Sequence, residues 1–96
     1  MRISDLLAPK KITFSLEIFP PKPGADPSAM RETVREMAAL SPDFISVTYG
    51  AGGGTSETTA DMAGFIQSLG VTALSHLTCV SLTRERIGSE LAALSA

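Results

Sequence analysis

Phe44-Ile45-Ser46-Val47-Thr48-Tyr49-Gly50-Ala51-Gly52-Gly53-Gly54-Thr55 reads as a short buried strand that runs into a glycine-rich turn and then into a helix. Ile45 and Val47 are β-branched and suit a pleated surface. Past Tyr49 the side chains nearly vanish, so the backbone can turn sharply and a flat ligand can approach its N–H groups closely. Thr55 and Ser56 can cap the following helix, whose first N–H groups would point toward the same space. A ligand site at the end of this strand is the first expectation.

Upstream, residues 1–11 look like a short, partly helical lead-in. Ile12-Thr13-Phe14-Ser15-Leu16-Glu17-Ile18-Phe19 then alternates with period two, as a strand does. Ile12, Phe14, Leu16 and Ile18 share one face, and Thr13, Ser15, Glu17 and Phe19 the other. Pro20 and Pro21 end the strand because neither can donate to a ladder. Asp26 caps a helix with Pro27 at its first position, and Met30, Val34, Met37 and Ala38 form its apolar stripe. Glu32 and Arg35 read as solvated charge, and Ser41-Pro42-Asp43 stops the helix.

Downstream, a helix over about 57–69 buries Met62, Phe65, Ile66 and Leu69, with Gly70 as its C-terminal glycine. A third strand is expected over 71–78. Thr83 caps a third helix with Ile87, Leu91 and Leu94 as its stripe, and the sequence ends within that pattern.

The order is β-α-β-α-β-α, with strand starts near residues 12, 44 and 71, spacings that suit right-handed βαβ units with parallel strands. An open doubly wound sheet would show strands apolar on both faces, whereas here polar residues collect on one face toward the strand ends. That asymmetry favours an α/β chain supplying the first three βα units of a (β/α)8 TIM barrel, incomplete in this chain. Residues 1–96 would be the N-terminal part of one such domain.

Composition narrows the classes. A net charge of -2 with 8 Lys and Arg in no stripe argues against non-specific nucleic-acid binding. No segment has the apolar length of a membrane span, and the N-terminus carries no signal-peptide pattern. The single Cys79 excludes an internal disulfide and suits a reducing cytoplasm.

Glu17, Thr48 and His76 each stand near the C-terminal end of a different strand, and in a barrel those ends converge on one mouth. Alternation turns Glu17 inward with Ser15 and Thr48 inward with Ser46, while His76 shares its parity with Thr78. A carboxyl between Leu16 and Ile18, with Phe19 close, is expected to be poorly solvated. Desolvation raises a carboxyl pKa, so such a group can hold a proton near neutrality and act as a general acid. The plainer reading is an ion pair with a basic residue such as Lys22.

His76 has no second His or acidic partner at ligand spacing, so no metal site is read, and its ordinary role is as a hydrogen-bonded histidine. Cys79 reads as a small packing residue. Thr48 can satisfy backbone groups, and Tyr49, the only tyrosine, can stack on a flat ring or pack in the core. The turn offers Gly50-Ala51-Gly52 but has Thr55 where a dinucleotide fingerprint wants its third glycine, and no Lys follows as in a P-loop.

Three motifs in order carry a family resemblance. Ser15-Leu16-Glu17-Ile18-Phe19-Pro20-Pro21-Lys22, then Pro42-Asp43-Phe44-Ile45-Ser46-Val47-Thr48-Tyr49-Gly50-Ala51-Gly52-Gly53, then His76-Leu77-Thr78-Cys79, together resemble methylenetetrahydrofolate reductase. The resemblance runs from about Thr13 onward and corresponds to the first third of that family's catalytic barrel. It implies a cytoplasmic, homo-oligomeric flavoprotein in which NADH or NADPH reduces FAD and FAD reduces 5,10-methylenetetrahydrofolate to 5-methyltetrahydrofolate. It implies Glu17 as proton donor to the bridging nitrogen, opening the five-membered ring to an iminium. Thr48, Tyr49 and Ala51 would match positions contacting the flavin or the stacked nicotinamide, His76 a flavin contact, and Leu77 and Thr78 the shape of that pocket.

Ile18 departs from the family, which commonly has a second aromatic there, and Thr55-Ser56-Glu57-Thr58 replaces a more basic helix start. The family's remaining flavin and folate contacts would lie beyond Ala96. Two other readings stay open: a non-enzymatic α/β fragment that pairs its sheet edges with another chain, or a different nicotinamide-binding α/β protein using the turn at 50–54.

Overall fold

The computed structural model describes residues 2–7, 12–20, 26–49, 56–78 and 82–95. Seven elements follow one another: α1 (Ile3–Leu7), β1 (Ser15–Ile18), α2 (Pro27–Ala38), β2 (Phe44–Val47), α3 (Ser56–Ser68), β3 (Ala73–Ser75) and α4 (Arg84–Ser95). The strands form one parallel sheet in the order β1-β2-β3. The architecture is therefore α/β, with each strand paired to its neighbour in sequence across an intervening helix.

The core lies on one face of the sheet. Leu16 and Ile18 of β1, Ile45 and Val47 of β2 and Ala73 of β3 share that face by alternation and register. Val34 of α2 and Met62, Ala63 and Ile66 of α3 close over them, with Met30, Met37, Phe65 and Leu69 packed around the rim. The expected stripe of α3 is thus the observed one, and so is that of α2 through Met30, Val34 and Met37. The guanidinium groups of Arg31 and Arg35 each lie 5.4 Å from the Phe65 ring, joining α2 to α3. Arg35, expected only as solvated charge, covers that ring while also pairing with Glu32 at 3.0 Å.

The helix ends obey their sequence signals. Asp26 caps α2, its Oδ1 accepting the Ser28 hydroxyl at 2.7 Å and the Ser28 N–H at 2.9 Å. The Thr83 hydroxyl accepts the Arg86 N–H at 3.1 Å and caps α4. Gly70 takes φ +85° after α3, a left-handed conformation that costs glycine nothing. Ser41 takes φ 57° in the turn after α2, where a side chain is rarely accommodated. Ser56 is the first residue of α3, and the cap expected of Thr55 lies outside the described residues.

The strands are shorter than their alternation suggests. Ile12 and Phe14 precede β1, and Ile12 is 84% exposed. The reason lies in the partner: Ser15 pairs with Phe44, the first residue of β2, so residues before Ser15 meet no strand. Phe14 instead meets Asp43, whose N–H donates to the Phe14 carbonyl at 2.7 Å and whose Oδ2 accepts the Phe14 N–H at 2.9 Å. At β3, pairing is confined to Ala73–Ser75, and the Ala73 N–H donates to Oε1 of Gln67 at 2.9 Å.

In α4 the expected stripe of Ile87, Leu91 and Leu94 is not the buried one. Leu91 is 53% exposed, whereas Glu90 is buried with its Oε1 3.4 Å from Arg86 Nε. Ile87 is half-buried and Glu90 buried, so the covered line of α4 is rotated from the apolar one, and Arg86 one turn back pairs with the Glu90 carboxyl. A cleft of about 490 Å³ between α3, β3 and α4 results from small side chains there, among them Ala60, Ala63, Gly64 and Ala93.

Two outcomes are expected. Hydrogen bonds, first from the Ser28 hydroxyl and then from its N–H, hold the Asp26 carboxyl below its ordinary pKa of 3.8. A depressed folded-state value stabilises the start of α2 above that pH and is lost as acid protonates the folded form, so α2 should loosen below about pH 4. Asp26→Asn should remove this pH dependence in an NMR acid titration. Residues 1–96 by themselves, with both sheet edges unpaired among the described residues and a small core, should melt without a cooperative transition in calorimetry; a sharp two-state melt would contradict the expectation.

Candidate functional site

The strand tips meet on the sheet face opposite the core. In the β1–β2 register Glu17 lies beside Ser46, and in the β2–β3 register Ser46 lies beside Leu74. His76 follows Leu74 by two residues and shares its face. Past the last paired residues the ladder continues, with the Thr48 N–H donating to the Ile18 carbonyl and the His76 N–H to the Val47 carbonyl, both at 3.0 Å.

The side chains converge as this backbone dictates. The Ser46 hydroxyl donates to Glu17 Oε1 at 3.0 Å. His76 Nε2 lies 3.6 Å from the same oxygen, an ion pair when the imidazole is protonated and too long for a direct hydrogen bond. The sequence places Glu17 and His76 at one mouth and offers the histidine no acidic partner at metal-ligand spacing. The partner is Glu17 itself, distant along the chain and brought close by the parallel register. Ser46 was missed as a member of the site; its signal is a hydroxyl in the middle of an otherwise apolar central strand.

One expectation is corrected here. The Glu17 carboxyl was expected to be poorly solvated, yet the side chain is 52% exposed and His76 41% exposed. Leu16 and Ile18, the apolar neighbours on which that expectation rested, point to the opposite face, into the core. Adjacent residues on a strand do not shield one another.

Thr48 is held by its backbone from two sides, with its carbonyl accepting the Thr59 hydroxyl at 3.1 Å. Its own hydroxyl oxygen is buried and has no partner among the described residues, so it does not satisfy backbone groups there. A buried hydroxyl left unbonded costs about 1–3 kcal/mol. Tyr49 and Leu77 are half-buried and Thr78 is exposed, following β2 and β3 at the same end of the sheet. Ala51, the glycine turn, Lys22 and Cys79 lie outside the described residues.

This arrangement offers acid–base chemistry: one carboxyl, one hydroxyl donor and one imidazole, set by three different strands on an accessible face. Among the described residues, no group of three or more His, Cys, Asp or Glu stands close enough to hold a metal ion. No helix among them is long and apolar enough to cross a membrane.

Known proteins share this sequence pattern. A family model described as Methylenetetrahydrofolate reductase matches residues 2–96. Methylenetetrahydrofolate reductase 1 of Schizosaccharomyces pombe is 38% identical over 97 residues, covering 95% of this chain and 16% of that protein. Methylenetetrahydrofolate reductase (NADH) 1 of Zea mays is 33% identical over 91 residues, covering 94% of this chain and 15% of that protein. 5,10-methylenetetrahydrofolate reductase of Escherichia coli (strain K12) is 32% identical over 78 residues, covering 80% of this chain and 26% of that protein. The chain thus spans between 15% and 26% of the length of these relatives.

The unbonded Thr48 hydroxyl yields a test. Thr48→Val should leave the ligand-free full-length protein as stable as the parent or more so, by up to about 1 kcal/mol, in a thermal melt. Destabilisation beyond that would mean that the hydroxyl is already bonded in the folded protein.

Proposed function

The chain belongs to the methylenetetrahydrofolate reductase family, and from that premise we propose that the protein carrying it reduces 5,10-methylenetetrahydrofolate to 5-methyltetrahydrofolate, with NADH or NADPH as electron source and FAD as cofactor. The observation that carries this reading is the meeting of Glu17, Ser46 and His76 on one sheet face. A parallel sheet in the order β1-β2-β3, with α2 and α3 packed on a single face, supports a (β/α)8 barrel whose mouth these tips would help to form.

The residues present fit a flavin. The Thr48 hydroxyl, buried and without a partner among the described residues, suits a polar ring atom, and half-buried Tyr49 and Leu77 offer flat and apolar surface beside exposed Thr78. Thr48, Tyr49, Ala51, His76, Leu77 and Thr78 would hold it. When bound, FAD supplies hydride transfer between the nicotinamide and the folate.

The chain's own chemistry is the proton. Glu17 would donate to the bridging nitrogen of the folate: an O–H bond breaks, an N–H bond forms, and the adjacent C–N bond then breaks with its electron pair going to that nitrogen. The ring opens to an iminium, the form that accepts hydride. Closing the open face of the sheet over Glu17 would exclude water from this step. A cytoplasmic location accompanies this reading, supported by the lone Cys79.

Glu17→Gln separates the two half-reactions. Stopped-flow measurements on the full-length protein should find flavin reduction by NAD(P)H within about twofold of the parent, while folate reduction falls by about 10²- to 10⁴-fold, the usual worth of a general acid. Equal loss in both would overturn the acid role.

A further inference from the structure

Ser46 is the one polar side chain of β2, whose other members are Phe44, Ile45 and Val47. It occupies the central strand, paired on both sides, and is only 8% exposed. A hydroxyl buried at the centre of a sheet is costly unless it is bonded, and a valine or isoleucine would suit the strand better. Its partner here is a single atom, Glu17 Oε1, at 3.0 Å. The nearest nitrogen of His76 faces that same Oε1, at 3.6 Å. No described residue bonds the other carboxyl oxygen, Oε2.

We propose that Ser46 is the positioning residue of the acid: it anchors Oε1 of Glu17 to the central strand, so that Oε2 is the oxygen that carries and delivers the proton. The inference rests on the acid role of Glu17 proposed above and names the device that orients it. A glutamate has three rotatable bonds, and on a half-exposed strand tip it would otherwise sample several directions. A donor fixed to the central strand removes that freedom at one oxygen. In the protonated acid the carbonyl oxygen is the better acceptor, so a Ser46 hydroxyl donating to Oε1 favours that oxygen as the carbonyl and places the acid's proton on Oε2. When Oε2–H gives its proton to the folate nitrogen, the charge left on the carboxylate is met at Oε1 by the Ser46 hydroxyl, already in place.

The test uses the full-length reductase with Ser46→Ala, Ser46→Cys, Ser46→Thr, Glu17→Gln and the Ser46→Ala/Glu17→Gln pair. Removing the donor by Ala, or weakening it by Cys at nearly the same size, should slow the folate half-reaction by about ten- to thirtyfold, as for a lost hydrogen bond to a charged group. The change should fall on kcat, with KM for the folate within about threefold and flavin reduction by NAD(P)H within about twofold. Ser46→Thr, which keeps the hydroxyl, should restore most of the rate. In the Glu17→Gln background, Ser46→Ala should add no further loss. A crystal structure of Ser46→Ala should show the Glu17 carboxyl turned away from β2. Unchanged folate reduction in both Ala and Cys variants, losses that multiply in the pair, or a Glu17 side chain that stays in place without the hydroxyl would each overturn the proposal. If Glu17→Gln alone leaves folate reduction intact, the acid reading itself falls and this inference with it.

Discussion

The parallel register that sets Glu17 beside Ser46, and Ser46 beside Leu74, governs everything else in this structure. Side chains alternate along a strand, so a slip of one residue would exchange the two faces of β1. Leu16 and Ile18 would leave the core, and the Glu17 carboxylate would be driven among Val34, Ile45 and Ile66, where an unpaired charge is heavily penalised. The chemistry of the exposed face is therefore secured by the apolarity of the hidden one. Packing and function are two readings of the same alternation.

That division of labour explains why a polar cluster can persist at the strand tips. Ile45 and Val47 put all of their side chains into the core layer, which leaves β2 free to present Ser46 to the other side. With α2 and α3 over one face, Glu17 and His76 remain about half-exposed on the other, at the end of β1 and just past β3. The cleft among α3, β3 and α4 lies on the opposite face, lined by Ala73 and Ser75, and takes no part in this cluster.

Much of the architecture was legible because it rests on local signals. Asp26, Thr83 and Gly70 mark helix ends through hydrogen bonds and dihedral preferences that need no distant partner. The stripes Met30–Val34–Met37 and Met62–Ile66 follow helical geometry alone. What escaped the sequence depends on neighbours. Strand length is set by where the adjacent strand begins, so Ile12 and Phe14 alternate like a strand yet lie outside one. Burial on α4 depends on the surface α3 offers, so Glu90 is covered while Leu91 is not. Glu17 was rightly placed at a tip, but its exposure was misjudged because chain neighbours on a strand face away from one another. The Ser46–Glu17–His76 grouping exists only once three strands are laid side by side.

The pair of hydrogen bonds between Asp43 and Phe14 gives this arrangement a point of origin. It ties together the two chain segments that flank α2, at the end of the sheet remote from Glu17, and half of it is made by a side chain. Counting along both strands starts there, as threads on a loom are counted from a fixed peg. The end of the sheet that carries Glu17 shares its register with an aspartate that never touches it, and the carboxyl at position 17 lies along the same ladder as that far selvedge.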